Sequence, residues 1–174
     1  VGIDEDDLVA LASRHRVRIE MIPHVGDYAP SMTPLARIWS DDGVDPPTTA
    51  ADITRHVGLG RERTMRQDVA FGFRQLADIA EKALSPAVND PTTATQAIDR
   101  IHDLLRRIAV APDPCPVYRD TSGTARLLIP VHGWEEIVHL ALDEVRQYGG
   151  DSLQVQRILR FLLDDLSALV EARP

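Results

Sequence analysis

Between Gln67 and Leu84 the apolar residues fall at Val69, Phe73, Leu76, Ala80 and Ala83, the three-and-four spacing that lays one apolar stripe along a helix. Such a stripe has to be covered by another element, so the chain must fold around it. Ser85-Pro86 interrupts the pattern, and Asn89-Asp90-Pro91 restarts it with a capping residue followed by proline at the first helical position. The next helix, Pro91 to about Ala109, presents Ala94, Ala97, Ile98, Ile101, Leu105 and Ile108. A third runs from about Trp134 to Tyr148 with Ile137, Val138, Ala141 and Val145 on one face, and Gly149-Gly150 ends it. The fourth begins after Asp151 and carries Val155, Ile158, Leu159, Leu162, Leu166, Leu169 and Val170. Four amphipathic helices without long connections predict an antiparallel bundle or a closely related packing.

The N-terminal part reads differently. Asp4 is placed to cap a short helix with Leu8, Leu11 and Ala12 as its stripe, ending near His15. Val17, Ile19 and Met21 alternate with Arg18 and Glu20, the period of a half-buried strand, and Pro23 stops it. A second extended segment, Leu35 to Trp39, follows Pro34. Asp41 to Thr49, DDGVDPPTT, reads as a solvated connector, after which Ala50 to Val57 suits a short helix. Beyond the second long helix, Val117 to Asp120 and Ala125 to Val131 flank Thr121-Ser122-Gly123 as a hairpin. The expected fold class is therefore α+β and mainly α: a bundle of about four long helices, a small N-terminal strand module and a β-hairpin. The expected division is a module over 1–40, a connector with a short helix over 41–66, and a helical core with the inserted hairpin over 67–174, read as one compact unit.

Hydrophobic residues make up 44% of the 174 and charged residues 26%, the balance of a globular chain. No apolar run approaches the ~20 residues that a membrane-spanning helix needs, and the acidic Val1 to Leu8 stretch is unlike an export signal. A net charge of -8 opposes nucleic acid and anionic lipid alike, so no nucleic-acid partner is expected. The single cysteine, Cys115, excludes an internal disulfide and a multi-cysteine zinc site. Of 19 lysines and arginines only Lys82 is lysine, a bias typical of GC-rich genomes, which weakens any argument from arginine frequency.

The polar cluster with most chemical content joins Arg63, Thr64, Gln67 and Asp68 to Asn89, Asp90 and Thr92, because the two helix starts can bring both groups to one edge of the core. Arginine offers a two-pronged donor and a helix start offers free amides, which suits a small polar or anionic ligand. The same residues serve equally as caps, with Arg63 pairing one of the two aspartates, and that is the commoner occupation of such groups. Arg55, His56, Arg61, Arg63, Arg66 and Arg74 make the surroundings of Gly58-Leu59-Gly60 locally basic, yet the stretch has neither the preceding strand nor the lysine of a phosphate loop. The histidines, at 15, 24, 56, 102, 132 and 139, include no metal-binding spacing, so neither metal nor other cofactor is expected. Asp120-Thr121-Ser122-Gly123 occurs once where aspartic-protease chemistry needs two carboxylates, and a hairpin turn accounts for it. No Gly-x-Ser-x-Gly elbow is present, and Cys115 has no histidine near it in sequence, so no catalytic residue is assigned.

The segment RTMRQDVAFGFRQLADIAEKALSPAVNDPTTATQAID, Arg63 to Asp99, resembles the predicted bacterial membrane protein family numbered 2254 among the domains of unknown function. HVGDYAPSMTPLARIW, from His24, is similar to that family's glycine-aspartate loop before a proline-leucine strand. The same loop loosely resembles barrel-sandwich modules of the biotinyl and lipoyl type, but Met32 stands where a second glycine is expected and no lysine is there to carry a swinging arm. The family resemblance implies a soluble region tethered to transmembrane helices of its own full-length chain, on the cytoplasmic face of the bacterial inner membrane. It implies no activity. The leading expectation is a non-enzymatic regulatory or assembly domain that forms a homo-oligomer; the alternative is a ligand-sensing or hydrolytic domain acting near Arg63, Asp68, Asn89 and Asp90.

Overall fold

The computed structural model describes residues 2–41, 43 and 50–172. Of the connector, Asp42 and Val44 to Thr49 lie outside the described residues. The chain is α+β, with six helices and two small sheets among the described residues. It divides into two compact units, Val1–Asp68 with Pro114–Val131, and Val69–Asp113 with His132–Pro174.

The first unit opens with β1 (Gly2–Ile3) and α1 (Glu5–His15), followed by β2 (Val17–Met21), β3 (Ala36–Ser40), α2 (Ala50–Thr54) and β4 (Val57–Gly58); β5 (Val117–Arg119) and β6 (Ala125–Leu128) complete it. The Asp4 carboxylate accepts from the Asp7 N–H, and Glu5, Asp6 and Asp7 fill the first turn of α1, where negative charge suits the helix dipole. Arg16, left-handed at φ 53°, turns the chain into β2. The main sheet has the order β3-β2-β6-β5. β2 pairs antiparallel with β3 and parallel with β6, where Ile19 lies opposite Leu127, so the hairpin of β5 and β6 completes the N-terminal sheet. Helix α1 packs on this sheet, and Leu8, Ala12, Val17, Ile19, Met21 and Leu127 are buried between them.

β1 and β4 form a separate two-stranded ribbon, with Ile3 opposite Val57. The sequence reading carries one short helix from Ala50 to Val57; the helix ends at Thr54, and Val57 joins the ribbon with its side chain buried beside Ile3 and Ile53.

A polar network surrounds buried Arg126 at the hairpin. Arg126, 8% exposed, donates from Nε to Asp120 Oδ2 at 2.7 Å and from Nη1 to Asp41 Oδ2 at 2.6 Å and the Val17 carbonyl at 3.3 Å. Asp120 Oδ1 accepts from the Ser122 hydroxyl at 2.5 Å and from the Ser122 and Thr124 N–H groups. The Asp-Thr-Ser-Gly tetrad is thus a hairpin turn whose aspartate anchors an internal arginine.

The second unit consists of α3 (Val69–Leu84), α4 (Pro91–Val110), α5 (Trp134–Tyr148) and α6 (Leu153–Glu171). Helix α3 packs against α4 and α5, and α4 packs against α6. Ala70, Ala77, Ala80 and Ala83 on α3 are buried, and side chains this small let neighbouring backbones approach closely. Phe73, Ile98, Ile101, Leu105, Val145, Val155 and Leu162 fill the interior. Between α3 and α4 the chain reverses tightly: the Asp90 N–H donates to the Ala83 carbonyl and the Asn89 N–H to the Ser85 carbonyl, with Asn89 left-handed at φ 47°. Gly149 closes α5, and any side chain there would meet Val155 Cγ1 at 2.4 Å. Arg74 joins α3 to α5 through Glu144 and pairs within α3 with Asp78, while His102 and Arg106 on α4 share Asp165 of α6.

Candidate functional site

Three of the residues expected to bind a ligand, Arg63, Thr64 and Gln67, line a cleft of about 610 Å³ in the first unit. Its other walls come from β1 and the start of α1, from Val25-Gly26, from Gly58-Leu59-Gly60, and from Glu62 and Arg66.

Asp68, 3% exposed, lies behind Arg63. A buried carboxylate needs a partner, and Arg63 supplies it through Nε at 2.9 Å and Nη2 at 2.8 Å, both to Oδ2. Side-chain freedom is the main cost of using arginine as a ligand donor, and the anchored fork has already lost much of it. Gly26 passes over the same oxygen: its φ is +91°, and an added Cβ would sit 1.8 Å from Asp68 Oδ2 and 3.1 Å from Arg63 Nη2. The glycine-aspartate loop and the start of the Arg63 to Asp99 segment, which separately carry the family resemblance, therefore meet at one ion pair.

Gln67 has a different task. Its Oε1 accepts from the Ile3 N–H at 3.0 Å, and its Nε2 donates to the Ile3 carbonyl at 2.8 Å and to Glu5 Oε1 at 3.2 Å. The amide takes the place of a neighbouring strand along β1, so it shapes the cleft wall while its own hydrogen bonds go to the fold. Thr64 and Arg66 are exposed on the lining.

Asn89, Asp90 and Thr92 belong to the second unit, where they form the turn into α4. Asp90 Oδ1 accepts from the Thr92 and Thr93 N–H groups at 3.1 Å each, and Oδ2 from the Thr93 hydroxyl at 2.5 Å. The Thr93 hydroxyl and these two amides hold the Asp90 carboxyl below its ordinary value of 3.8. The Thr92 carbonyl accepts from Thr95. The three bonds to its carboxylate make Asp90 the cap of α4.

Sequence reasoning missed Gly2, Glu5 and Gly26 as parts of the site, and of these only Gly26 had a signal, through the resemblance of its loop; Gly58-Leu59-Gly60 stood out through its basic surroundings and does line the cleft. The carboxylates Asp78, Glu81 and Glu144 of the second unit converge closely enough to reach one ion, but Arg74 already bonds two of them, and its own pKa is raised chiefly by Glu144.

Residues 1–165 match the family described as predicted membrane protein, DUF2254, and the chain belongs to that family. It is similar to uncharacterized proteins of Mycobacterium bovis and Mycobacterium tuberculosis, at 34% identity over 173 residues in each case. The alignments cover 97% of this chain and 32% of those proteins, so the chain spans about a third of the length of the curated relatives it matches. No solved structure matches it. Among the described residues, no helix is long and apolar enough to cross a membrane.

Proposed function

We propose that this chain is a non-catalytic regulatory domain of a bacterial membrane protein, attached to the membrane-spanning part of its own full-length chain and facing the cytoplasm, and that its cleft reads a small polar or anionic ligand. The observation that carries the reading is the Arg63 fork, fixed by buried Asp68 at the wall of a cleft that also presents Thr64 and Arg66. Sensing is favoured over hydrolysis because the lining comprises glycines, aliphatics, carboxylates, two arginines, Thr64 and Gln67, without a serine, cysteine or histidine to form a nucleophile and base pair. The α3–α4 turn supports the second unit through its capping bonds, and Asn89, Asp90 and Thr92 are assigned to that role.

Thermal unfolding with inorganic phosphate, nucleotides and dicarboxylates tests the proposal. A ligand present at 100 times its dissociation constant adds about 2.7 kcal/mol of stability. Arg66→Ala, at an exposed position, is expected to weaken that response while leaving the stability of the unliganded protein within about 0.5 kcal/mol. No response to any of these anions would remove the ligand part of the proposal.

The assembly part rests on β3, which stands at one end of the strand order of the main sheet among the described residues, the position at which another copy would add a strand. Light scattering across a concentration series is expected to show a rising mass. A monomer at every concentration would contradict it.

A further inference from the structure

The loop joining β2 to β3 carries the two most exposed large apolar side chains of the described residues. Tyr28 is 88% exposed and Met32 101%, against 69% for Leu153, the next in order. Both fall within Tyr28 to Ala36, nine consecutive residues without a charged side chain and the longest such run in a chain that is 26% charged.

The tip is also rigidly built. Pro23, Pro30 and Pro34 restrict the backbone, the Ile22 N–H donates to the Leu35 carbonyl across its base at 2.9 Å, and the Thr33 N–H and hydroxyl both donate to the Pro30 carbonyl. Met32 holds φ +67°, in the left-handed region that glycine favours, with its side chain entirely in solvent. Of the two charges bordering the run, Asp27 accepts from the His24 N–H at the base of the loop and Arg37 pairs with Glu20 at 3.6 Å. A large apolar side chain held in a disfavoured conformation, with nothing packed on it, indicates a surface used against something else.

We propose that the Tyr28 to Ala36 loop seats on the bilayer to which the parent protein is attached, with Tyr28 and Met32 in the interfacial layer. Three observations select lipid over a protein partner. The family is one of predicted membrane proteins, and about two thirds of each mycobacterial relative lies outside this match. Tyrosine, with an apolar ring and a polar tip, suits the headgroup region. A tethered loop also needs only weak affinity for the bilayer, because the tether supplies its concentration. Since the chain carries a net charge of -8, the contact is apolar and suits zwitterionic lipid. It depends on membership of the membrane-protein family and not on what the cleft binds.

The test anchors the 174-residue chain through a C-terminal hexahistidine tag to phosphatidylcholine vesicles containing a nickel-chelating lipid. An environment-sensitive fluorophore is attached in turn to Met32→Cys, Tyr28→Cys and Leu153→Cys, each in a Cys115→Ser background. The expected result is a blue shift, and quenching by spin-labelled lipid, at positions 28 and 32 but not at 153, unchanged by salt. No shift at either loop position, or an equal shift at all three, overturns the proposal. A shift that appears without vesicles and grows with protein concentration also overturns it, because a second copy then covers the tip.

Discussion

Gly26→Ala is expected to destabilise the first unit by roughly 3 kcal/mol, more than its single methyl group suggests. Two costs add: ~1–2 kcal/mol for placing a Cβ at a left-handed position, and ~1–3 kcal/mol for forcing that carbon into filled space. The space is filled by Asp68, whose Oδ2 would lie 1.8 Å from the new carbon. Asp68 cannot retreat without giving up Arg63, so the strain passes into the buried ion pair. Gly123→Ala is the matched control, because Gly123 also has a positive φ, +83°, yet its Cβ would meet nothing within 4 Å. Urea unfolding should place Gly26→Ala well below Gly123→Ala, and equal losses would mean that the close approach of Gly26 to Asp68 does not occur in solution.

Arg126→Met is expected to cost about 2 kcal/mol, because the Asp120 side chain, 6% exposed, loses its charged donor, while exposed Asp41 regains water. Methionine matches much of the arginine's apolar length, so the lost volume is small while Asp41 and Asp120 both lose a donor. The substitution also changes the acid response. The Ser122 hydroxyl and then the Arg126 guanidinium hold the Asp120 carboxyl well below its ordinary value of 3.8. A carboxyl whose folded pKa is depressed stabilises the fold at pH values above its unfolded pKa, and that contribution fades as pH falls through the folded value. The unmodified protein should therefore lose stability progressively below about pH 4, and Arg126→Met, having already lost part of the interaction, should lose less over the same range. Parallel acid profiles for the two proteins would show that Arg126 does not govern Asp120.

Several elements were legible because their signals are local. The helix from Val69 to Leu84, the proline-led start at Pro91, the alternation of Val17, Ile19 and Met21, and the Asp120 turn each occupy nearby residues and correspond to observed elements, although Val69 of the expected stripe is 63% exposed and Ala70 and Ala77 are buried instead. The parallel pairing of Ile19 with Leu127 is another matter. Nothing near either residue specifies a partner more than 100 positions away, and the short alternation around Leu127 is equally compatible with an isolated hairpin. β1 and β4 have two residues each, too few to show any period.

The polar run from Arg63 to Asp68 stood out in the sequence, but the division of labour within it did not. Gln67 looks like a ligand group until Ile3, 64 residues earlier, is seen to take its amide. Gly26 reads only as a turn glycine until Asp68 is seen beneath it. Residue type reports what a side chain is able to bond; which partner it has depends on contacts between distant parts of the chain.

The most direct test of the cleft is an amide NMR titration with whichever anion gives the largest thermal shift. Glycine amides provide the map, because Gly2, Gly26, Gly58 and Gly60 line the cleft while Gly123, Gly133, Gly149 and Gly150 do not. The account predicts saturable shifts at Gly26, Gly58 and Gly60, with the second group unmoved and the response reduced in Arg66→Ala. Shifts confined to Gly149 and Gly150, or none at the cleft glycines under saturating ligand, would contradict it.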